Sequence, residues 1–370
     1  MTRVGILYGG RSGEHEVSLH SAASVVQRLD SGRFQAVPIG ITREGEWFIQ
    51  DPARVAEEAA EDGVLTIATG EAHRVSVLPA RGLSAAGNDL EVEVVFPVLH
   101  GSFGEDGTVQ GLLEIAGIPY VGAAVLGSAL GMDKELTKRL WQQAGLPTVP
   151  FRTLRREHIV DDADVIDGGR LRKAADRVAR DLELPWFVKP ARAGSSVGVT
   201  RIGSLEEFPE AARAALEFDT KLLVEPQITG REIECSVMGT EEVRTFPPGE
   251  IKPRNGFYSY EAKYVDPEGA ALFVPAELDE ETAADIRRIA AAAYRAVDCE
   301  GFVRIDFFLD GESGRLYLNE INTIPGFTSI SMFPKLCEVG GLSYEDLLSE
   351  LISLALRRHA LRSSLTYQWS

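Results

Sequence analysis

FVRIDFFLDGESGRLYLNEIN, residues 302–322, consists of two apolar runs separated by DGESG, a cluster of turn formers. Successive side chains of a strand point to opposite faces. Arg304 and Asp306 therefore share one face of the first run, and Val303, Ile305 and Phe307 share the other. Glu320 and Asn322 share a face of the second run. A hairpin centred near Ser313 sets Asp306 opposite Glu320 and Arg304 opposite Asn322. Three hard oxygen donors and one guanidinium then converge on one patch. Asp306, Glu320 and Asn322 together suit Mg²⁺, which prefers oxygen ligands and keeps positions for water and substrate phosphates. A solvated outer face is the competing reading, and the bulky apolar neighbours weigh against it.

Two further stretches have the chemistry of phosphate handling. In WFVKPARAGSSVGV (186–199), Lys189 ends a strand and leads into a loop of glycines and serines whose backbone N–H groups can cradle phosphates. A plain hairpin turn explains that composition equally well. Neither GxxxxGK[ST] nor a GxGxxG after a strand is present, so the P-loop and dinucleotide fingerprints do not apply. In GMDKELTKRL (131–140), Asp133 caps a helix that Gly145 ends. Lys134 lies in its first turn, where the helix dipole disfavours a cation unless an anion binds there.

YGGRSGEHEVSLHS (8–21) follows a strand with glycines and a helix start, with Glu14 in the turn. His15 and His20 are five apart, about 140° around a helix, which rules out the zinc-protease pattern. His100 ends the apolar run VEVVFPVLH. A satisfied structural histidine and a substrate contact both remain open for it.

Around these stretches the chain organises into three parts. Residues 1–125 alternate strand and helix signals, as in a small doubly wound α/β domain with its active-site groups at the carboxyl ends of parallel strands. Within it, residues 45–90 break the rhythm and read as a surface insertion. Residues 126–226 form a compact α+β unit. Residues 227–360 contain the hairpin and an irregular stretch, 247–266, rich in Pro, Gly, Tyr and Lys, that reads as a working lid. Residues 361–370 read as a fraying tail.

Bulk properties limit the partners. Among 370 residues, 56 acidic outnumber 38 basic, a formal charge of −18 that argues against nucleic acid and anionic membrane. Cys235, Cys299 and Cys337 are isolated, as expected of buried thiols in a reducing cytoplasm. The start MTRVGILYGG reads as a strand and turn, not a signal peptide, and no run reaches the ~18–20 apolar residues of a membrane span.

GGRSGEHEVSLHS, VLHGSFGEDGTVQGLLEIAGIPYVG, GMDKELTKRL, VKPARAGSSVGV, YEAKYV, GFVRIDFF and LYLNEINTIPGFTSIS occur in that order along the chain. In this the sequence resembles the D-alanine–D-alanine ligases over nearly its whole length outside the insertion and tail. The resemblance implies an ATP-grasp fold, preceded by the doubly wound domain, with ATP between the central and C-terminal parts. It further implies that Lys134 and Lys189 bind ATP phosphates, that Glu225 and Ile228 lie at the adenine, and that Glu232 contacts the ribose. Asp306, Glu320 and Asn322 match the family's Mg²⁺ ligands, for two ions that Mn²⁺ can replace. Glu14 matches the group that holds the first D-alanine's ammonium, with Ser195 and Tyr264 as partners that close the lid. Arg304 and the Gly326 N–H match the oxyanion donors, and Lys263 and Ser331 match contacts to the second D-alanine's carboxylate. Gln227 stands at the hinge where some relatives have an aromatic residue, which bears on adenine packing.

The function implied by the resemblance is that of an ATP-dependent, cytoplasmic ligase, a homodimer through its N-terminal domain, that supplies a dipeptide for peptidoglycan through an acyl phosphate. An acceptor such as D-lactate and a non-catalytic nucleotide-binding regulator are the alternatives. Tyr264 favours an amine acceptor, since depsipeptide-making relatives lack that tyrosine, and the complete acidic set with Arg304 speaks against a regulator.

Overall fold

The computed structural model describes residues 1–161, 165–253 and 270–366. Its first part runs β1 (Thr2–Gly9), α1 (His15–Arg28), β2 (Phe34–Ile41), β3 (Trp47–Ile49), α2 (Pro52–Glu61), β4 (Val75–Leu78), β5 (Gly82–Ala85), β6 (Asn88–Asp89), β7 (Val94–Val98), α3 (Thr108–Ala116) and α4 (Val125–Met132). The sheet order is β3-β2-β1-β7, with β1 parallel to both β2 and β7. Every residue of β7 is buried, as a parallel strand covered on both faces requires. Val4, Ile6 and Tyr8 pack toward α1, while Leu7 packs toward Val109 and Leu113 of α3.

Residues 45–90 are not a purely surface feature. They add β3 to the sheet edge, and α2 packs on α1. Phe48, Val55, Ala59, Leu65, Val75, Leu83 and Ala85 are buried. The stretch combines a short helix with a small antiparallel sheet, β4-β5-β6. Its mixed period hides that apolar face from a reading by periodicity alone.

The central part contains α5 (Lys134–Gln143), β8 (Arg152–Arg155), α6 (Gly168–Val178), β9 (Trp186–Pro190), β10 (Thr200–Ile202), α7 (Phe208–Leu216) and β11 (Lys221–Pro226). Asp133 caps α5 by accepting from the Leu136 N–H at 3.1 Å. Gly145, at φ +71, follows the last turn. The sheet β10-β9-β11-β8 is antiparallel and packs one face on α6 and α7.

The third part contains β12 (Gly230–Gly239), β13 (Val243–Thr245), β14 (Gly249–Pro253), β15 (Ala270–Phe273), α8 (Glu280–Ala296), β16 (Gly301–Asp310), β17 (Leu316–Asn322), α9 (Met332–Val339) and α10 (Tyr344–Ser363). Its sheet is ordered β15-β14-β12-β16-β17, with β13 beside β12. The expected register is observed: Asp306 pairs with Glu320 and Arg304 with Asn322. A bulge between Asp306 and Phe307 then shifts the pairing, so that Phe307 meets Leu318 and Asn319 is the extra residue.

Helix α8 decides which face of this sheet is free. Ile286, Ile289, Ala290 and Ala293 bury against Ile233, Cys235, Val237, Val303, Ile305 and Phe307. Alternation then turns Glu232, Glu234, Arg304 and Asp306 to the opposite face. That face looks across a cleft at β9, β11 and the loop after β9. The last helix, α10, returns to the first part: Leu347, Leu348, Leu351 and Ile352 share one core with Val94, Phe96 and Val98. Arg358 donates to the carbonyls of Gly122 (2.6 Å) and Tyr120 (2.7 Å). All three cysteines are buried and unbridged.

Candidate active site

The cleft between the two antiparallel sheets is lined by Lys134, Lys189, Ser195, Glu225, Gln227, Ile228, Glu232, Glu234, Arg304, Asp306 and Glu320, among others. It therefore brings together nine of the residues expected from the sequence: Lys134, Lys189, Ser195, Glu225, Ile228, Glu232, Arg304, Asp306 and Glu320. Its positive and negative groups are already interleaved. Lys134, at the start of α5, donates to the Ala193 carbonyl at 2.9 Å and lies 3.2 Å from Glu320. Lys189, at the end of β9, lies 2.6 Å from Glu225 Oε2 on the neighbouring strand. Gln227 Oε1 accepts from Arg201 at 2.8 Å at the cleft's edge.

Arg304 is gripped by carboxylates. Its Nε and Nη2 donate to the two oxygens of Asp306 at 2.7 and 2.6 Å, and Glu234 lies 3.1 Å from Nε. Burial works against the guanidinium's charge, but Asp306 and Glu234 outweigh it and hold its pKa well above the usual arginine value. Such a bidentate pair fixes the fork in one orientation.

Asp306 and Glu320 are directly opposed across the hairpin, with Asn322 two residues on. Asn322 Oδ1 accepts from the Ile324 N–H at 3.0 Å, which shapes the loop after β17. Among the described residues no group of three or more His, Cys, Asp or Glu is arranged to hold a metal ion. The donors expected from the sequence, Asp306, Glu320 and Asn322, are two carboxylates and an amide, a chemistry that fits a hard divalent cation; here Asp306 is paired with Arg304 and Glu320 with Lys134.

The first part of the chain supplies the cleft's far wall. Glu14, buried at the start of α1, accepts a hydrogen bond from Ser195 Oγ in the loop after β9. Ser195 and Ser196 both have left-handed backbones, φ +49 and +60, which turn the loop toward Glu14. Gly101, at φ +77, follows β7, and a Cβ there would come within 2.6 Å of Glu14 Oε2. Glycine is required by both the backbone and the close approach.

His100 has both ring nitrogens engaged by the protein: Nδ1 with the Ile324 carbonyl at 2.9 Å, Nε2 with Ser21 Oγ at 3.0 Å. Burial lowers its pKa. It thus ties β7 to the loop after β17, with both ring nitrogens engaged by the protein. In that same loop, a Cβ on Gly326 would lie 2.6 Å from Ser331 Oγ. Ser331 Oγ accepts from the Thr328 N–H at 3.0 Å. Lys263, Tyr264 and most of the expected lid lie outside the described residues; of 247–266, residues 249–253 form β14.

Several site groups are not singled out by the sequence. Glu234 is one, although GREIECSVMG alternates and places it on the same face as Glu232. Asn319 lines the cleft because of the bulge, and among the described residues its buried Oδ1 has no hydrogen-bond partner. Glu105, after β7, is pushed well above the usual carboxylate range by burial and by Glu14. Lys138, one turn beyond Lys134, is fully buried beside Glu225. Its i,i+4 spacing from Lys134 is the available signal.

Comparison with known proteins shows the family. Residues 3–123 match the family description D-ala D-ala ligase N-terminus, and residues 140–353 match D-ala D-ala ligase C-terminus. The D-alanine–D-alanine ligase of Treponema denticola is 46% identical over 360 residues, covering 96% of each chain. The solved D-alanine–D-alanine ligase of Coxiella burnetii superposes with a TM-score of 0.80 at 33% identity, over 98% of this chain and 97% of that one. The VanG D-Ala:D-Ser ligase of Enterococcus faecalis superposes with a TM-score of 0.81 at 35% identity, over 96% of this chain and 99% of that one. A two-sheet cleft of lysines and carboxylates, closed on one side by Glu14, thus sits on an ATP-grasp fold, and the chain belongs to the D-alanine–D-alanine ligase family.

Proposed function

We propose that this chain joins two D-alanines with consumption of ATP, through an acyl phosphate, to make the dipeptide used in peptidoglycan. The observation that carries this reading is the Glu14–Ser195 contact in the wall of a cleft holding Lys134, Lys189, Arg304, Asp306 and Glu320. An amino-acid site is thereby set against a phosphate site, as a carboxylate–amine ligase needs.

Lys134 and Lys189 put positive charge where the γ-phosphate would lie, and positioning contributes most of the acceleration in phosphoryl transfer. Asp306, Glu320 and Asn322 would hold Mg²⁺, which when bound neutralises charge on the transferring phosphoryl group. Glu225 and Ile228 face the adenine and Glu232 the ribose. Glu14, oriented by Ser195, receives the first D-alanine's ammonium, so that its carboxylate faces the phosphate. Arg304, held by Asp306 and Glu234, directs charge at the oxyanion formed when the second D-alanine's amine attacks, together with the Gly326 N–H. Ser331 and Lys263 bind the second carboxylate. Tyr264 completes the set with Ser195, and the 247–266 lid excludes water from the acyl phosphate. His100 supports this wall from behind through Ile324 and Ser21.

A cytoplasmic location accords with three unbridged buried thiols. No helix among the described residues is long and apolar enough to cross a membrane. Leu112 and Ile115 on α3 and Val125 and Leu126 on α4 are exposed apolar side chains that a homodimer through this domain would cover.

The test is phosphate release with ATP, Mg²⁺ and D-alanine, set against L-alanine, D-serine and D-lactate, with the product identified by mass. D-alanine-dependent release yielding the dipeptide is the expected result. Preferential use of D-serine or D-lactate as acceptor would overturn the substrate assignment. The D-lactate reading is not favoured, since the similar proteins named above are ligases of amino acids.

A further inference from the structure

Lys138 has no exposed surface, yet it is a lysine. Its ammonium lies 3.0 Å from Glu225 Oε1, while Lys189 holds Oε2 of the same carboxylate at 2.6 Å. Burial pushes Lys138 down to about 8, and the neighbouring Lys189 adds to this against the pull of Glu225. For Glu225, burial works to raise the carboxyl, but the two ammonium groups outweigh it and hold it below the usual range. An ammonium in such a place is expensive, and a well-packed apolar side chain often serves stability as well. The arrangement therefore has a chemical reason beyond filling space. Two cations share one carboxylate, and of the two Lys189 alone lines the cleft.

We propose that Lys138 is a positioning residue: it remains as the counter-ion of Glu225, so that Lys189 can leave that carboxylate for the phosphates of a bound nucleotide. Without Lys138, Glu225 keeps Lys189 as its one close ammonium among the described residues, and a nucleotide must break a buried pair to recruit it. Nucleotide affinity falls, while the amino-acid sites are untouched. This rests on the assignment of Lys189 and Glu225 to the nucleotide.

The experiment is calorimetric titration of the full-length protein with ADP in the presence of Mg²⁺, accompanied by steady-state kinetics and thermal melts. Lys138→Met is expected to weaken ADP binding roughly 10- to 100-fold, the scale of one charge-assisted contact. KM for ATP should rise in parallel, with KM for D-alanine unchanged. Lys138→Arg, which keeps the charge, should recover most of the loss. On a Glu225→Gln background, where no carboxylate competes for Lys189, adding Lys138→Met should change ADP affinity by less than about twofold. The double variant leaves no buried cation at position 138 and frees only Lys189, which lines the cleft, so the comparison with Glu225→Gln survives if Lys138→Met alone does not fold. Wild-type ADP affinity in Lys138→Met, or an undiminished loss on the Glu225→Gln background, would overturn the role of Lys138. If Lys189→Met and Glu225→Gln each bind ADP like the wild type, the nucleotide assignment itself fails, and this inference with it.

Discussion

Ser195 Oγ donates a hydrogen bond to Glu14 Oε1, joining a loop of the central sheet to the first turn of the N-terminal domain across 181 positions of sequence. Neither domain alone contains this pair. The amino-acid site proposed at Glu14 therefore requires both domains. Replacing Ser195 by Ala removes the donor without adding bulk. The expected outcome is a fall of roughly 10- to 100-fold in kcat/KM for D-alanine, the scale of a lost orienting contact, with ADP affinity unchanged. Initial rates at varied D-alanine, beside a thermal melt, check it.

Gly101 sets the distance from the other side. A Cβ there would come within 2.6 Å of Glu14 Oε2, at φ +77. Gly101→Ala should displace the carboxylate and raise KM for D-alanine at least about tenfold, with a stability loss of about 1–3 kcal/mol from the forced backbone. A variant with wild-type D-alanine kinetics would contradict the placement of Glu14.

Arg304 carries two expectations at once. Arg304→Met leaves Asp306 and Glu234 as adjacent buried carboxylates without their cation. Breaking such a pair costs about 3–5 kcal/mol. Turnover should fall about 10²–10³-fold if Arg304 also stabilises the oxyanion. Chemical denaturation and single-turnover rates separate the two effects: stability loss without rate loss in the folded fraction would remove Arg304 from the chemistry.

His100 makes stability depend on pH in a defined direction. Its folded pKa lies below 6.5, chiefly through burial. Below that value the unfolded chain takes up a proton that folded His100 refuses, so stability falls with pH, by at most about 1.4 kcal/mol per unit. The contribution is complete above the unfolded value and is lost as pH drops through the window beneath it. Glu105, 4.0 Å from His100, has a raised pKa and acts with the opposite sign: its contribution is present below about 4.5 and lost as pH rises. Urea midpoints measured from about pH 5 to about pH 8 should therefore show a shallower acid slope in His100→Gln than in the wild type. Parallel slopes would mean that His100 is already protonated in the fold.

The β16–β17 hairpin is readable in the sequence because strand alternation is a strict period of two and the turn DGESG marks its centre. Asp306 opposite Glu320 comes from counting alone. The bulge is not readable: one extra residue, Asn319, costs little locally and leaves no compositional mark. Glu234 and Lys138 escape for a related reason. Each joins the site only by virtue of what a distant strand sets beside it, Asp306 and Arg304 in one case and Glu225 in the other. Residues 45–90 mislead because a short helix and a small sheet share their apolar side chains between two cores, so neither period persists. His100 shows the limit of identity alone, since only its contacts with Ser21 and Ile324 reveal that its nitrogens are spoken for.

Helix α10 closes the core over Val94, Phe96 and Val98 with leucines made some 250 positions later. During synthesis on a ribosome, the first domain must then wait with one flank of its sheet uncovered while the remaining two-thirds of the polypeptide is produced. For that interval its apolar strands are open to chaperones and to neighbouring nascent chains. Burial of that flank therefore waits for α10, whatever the order in which the domains emerge.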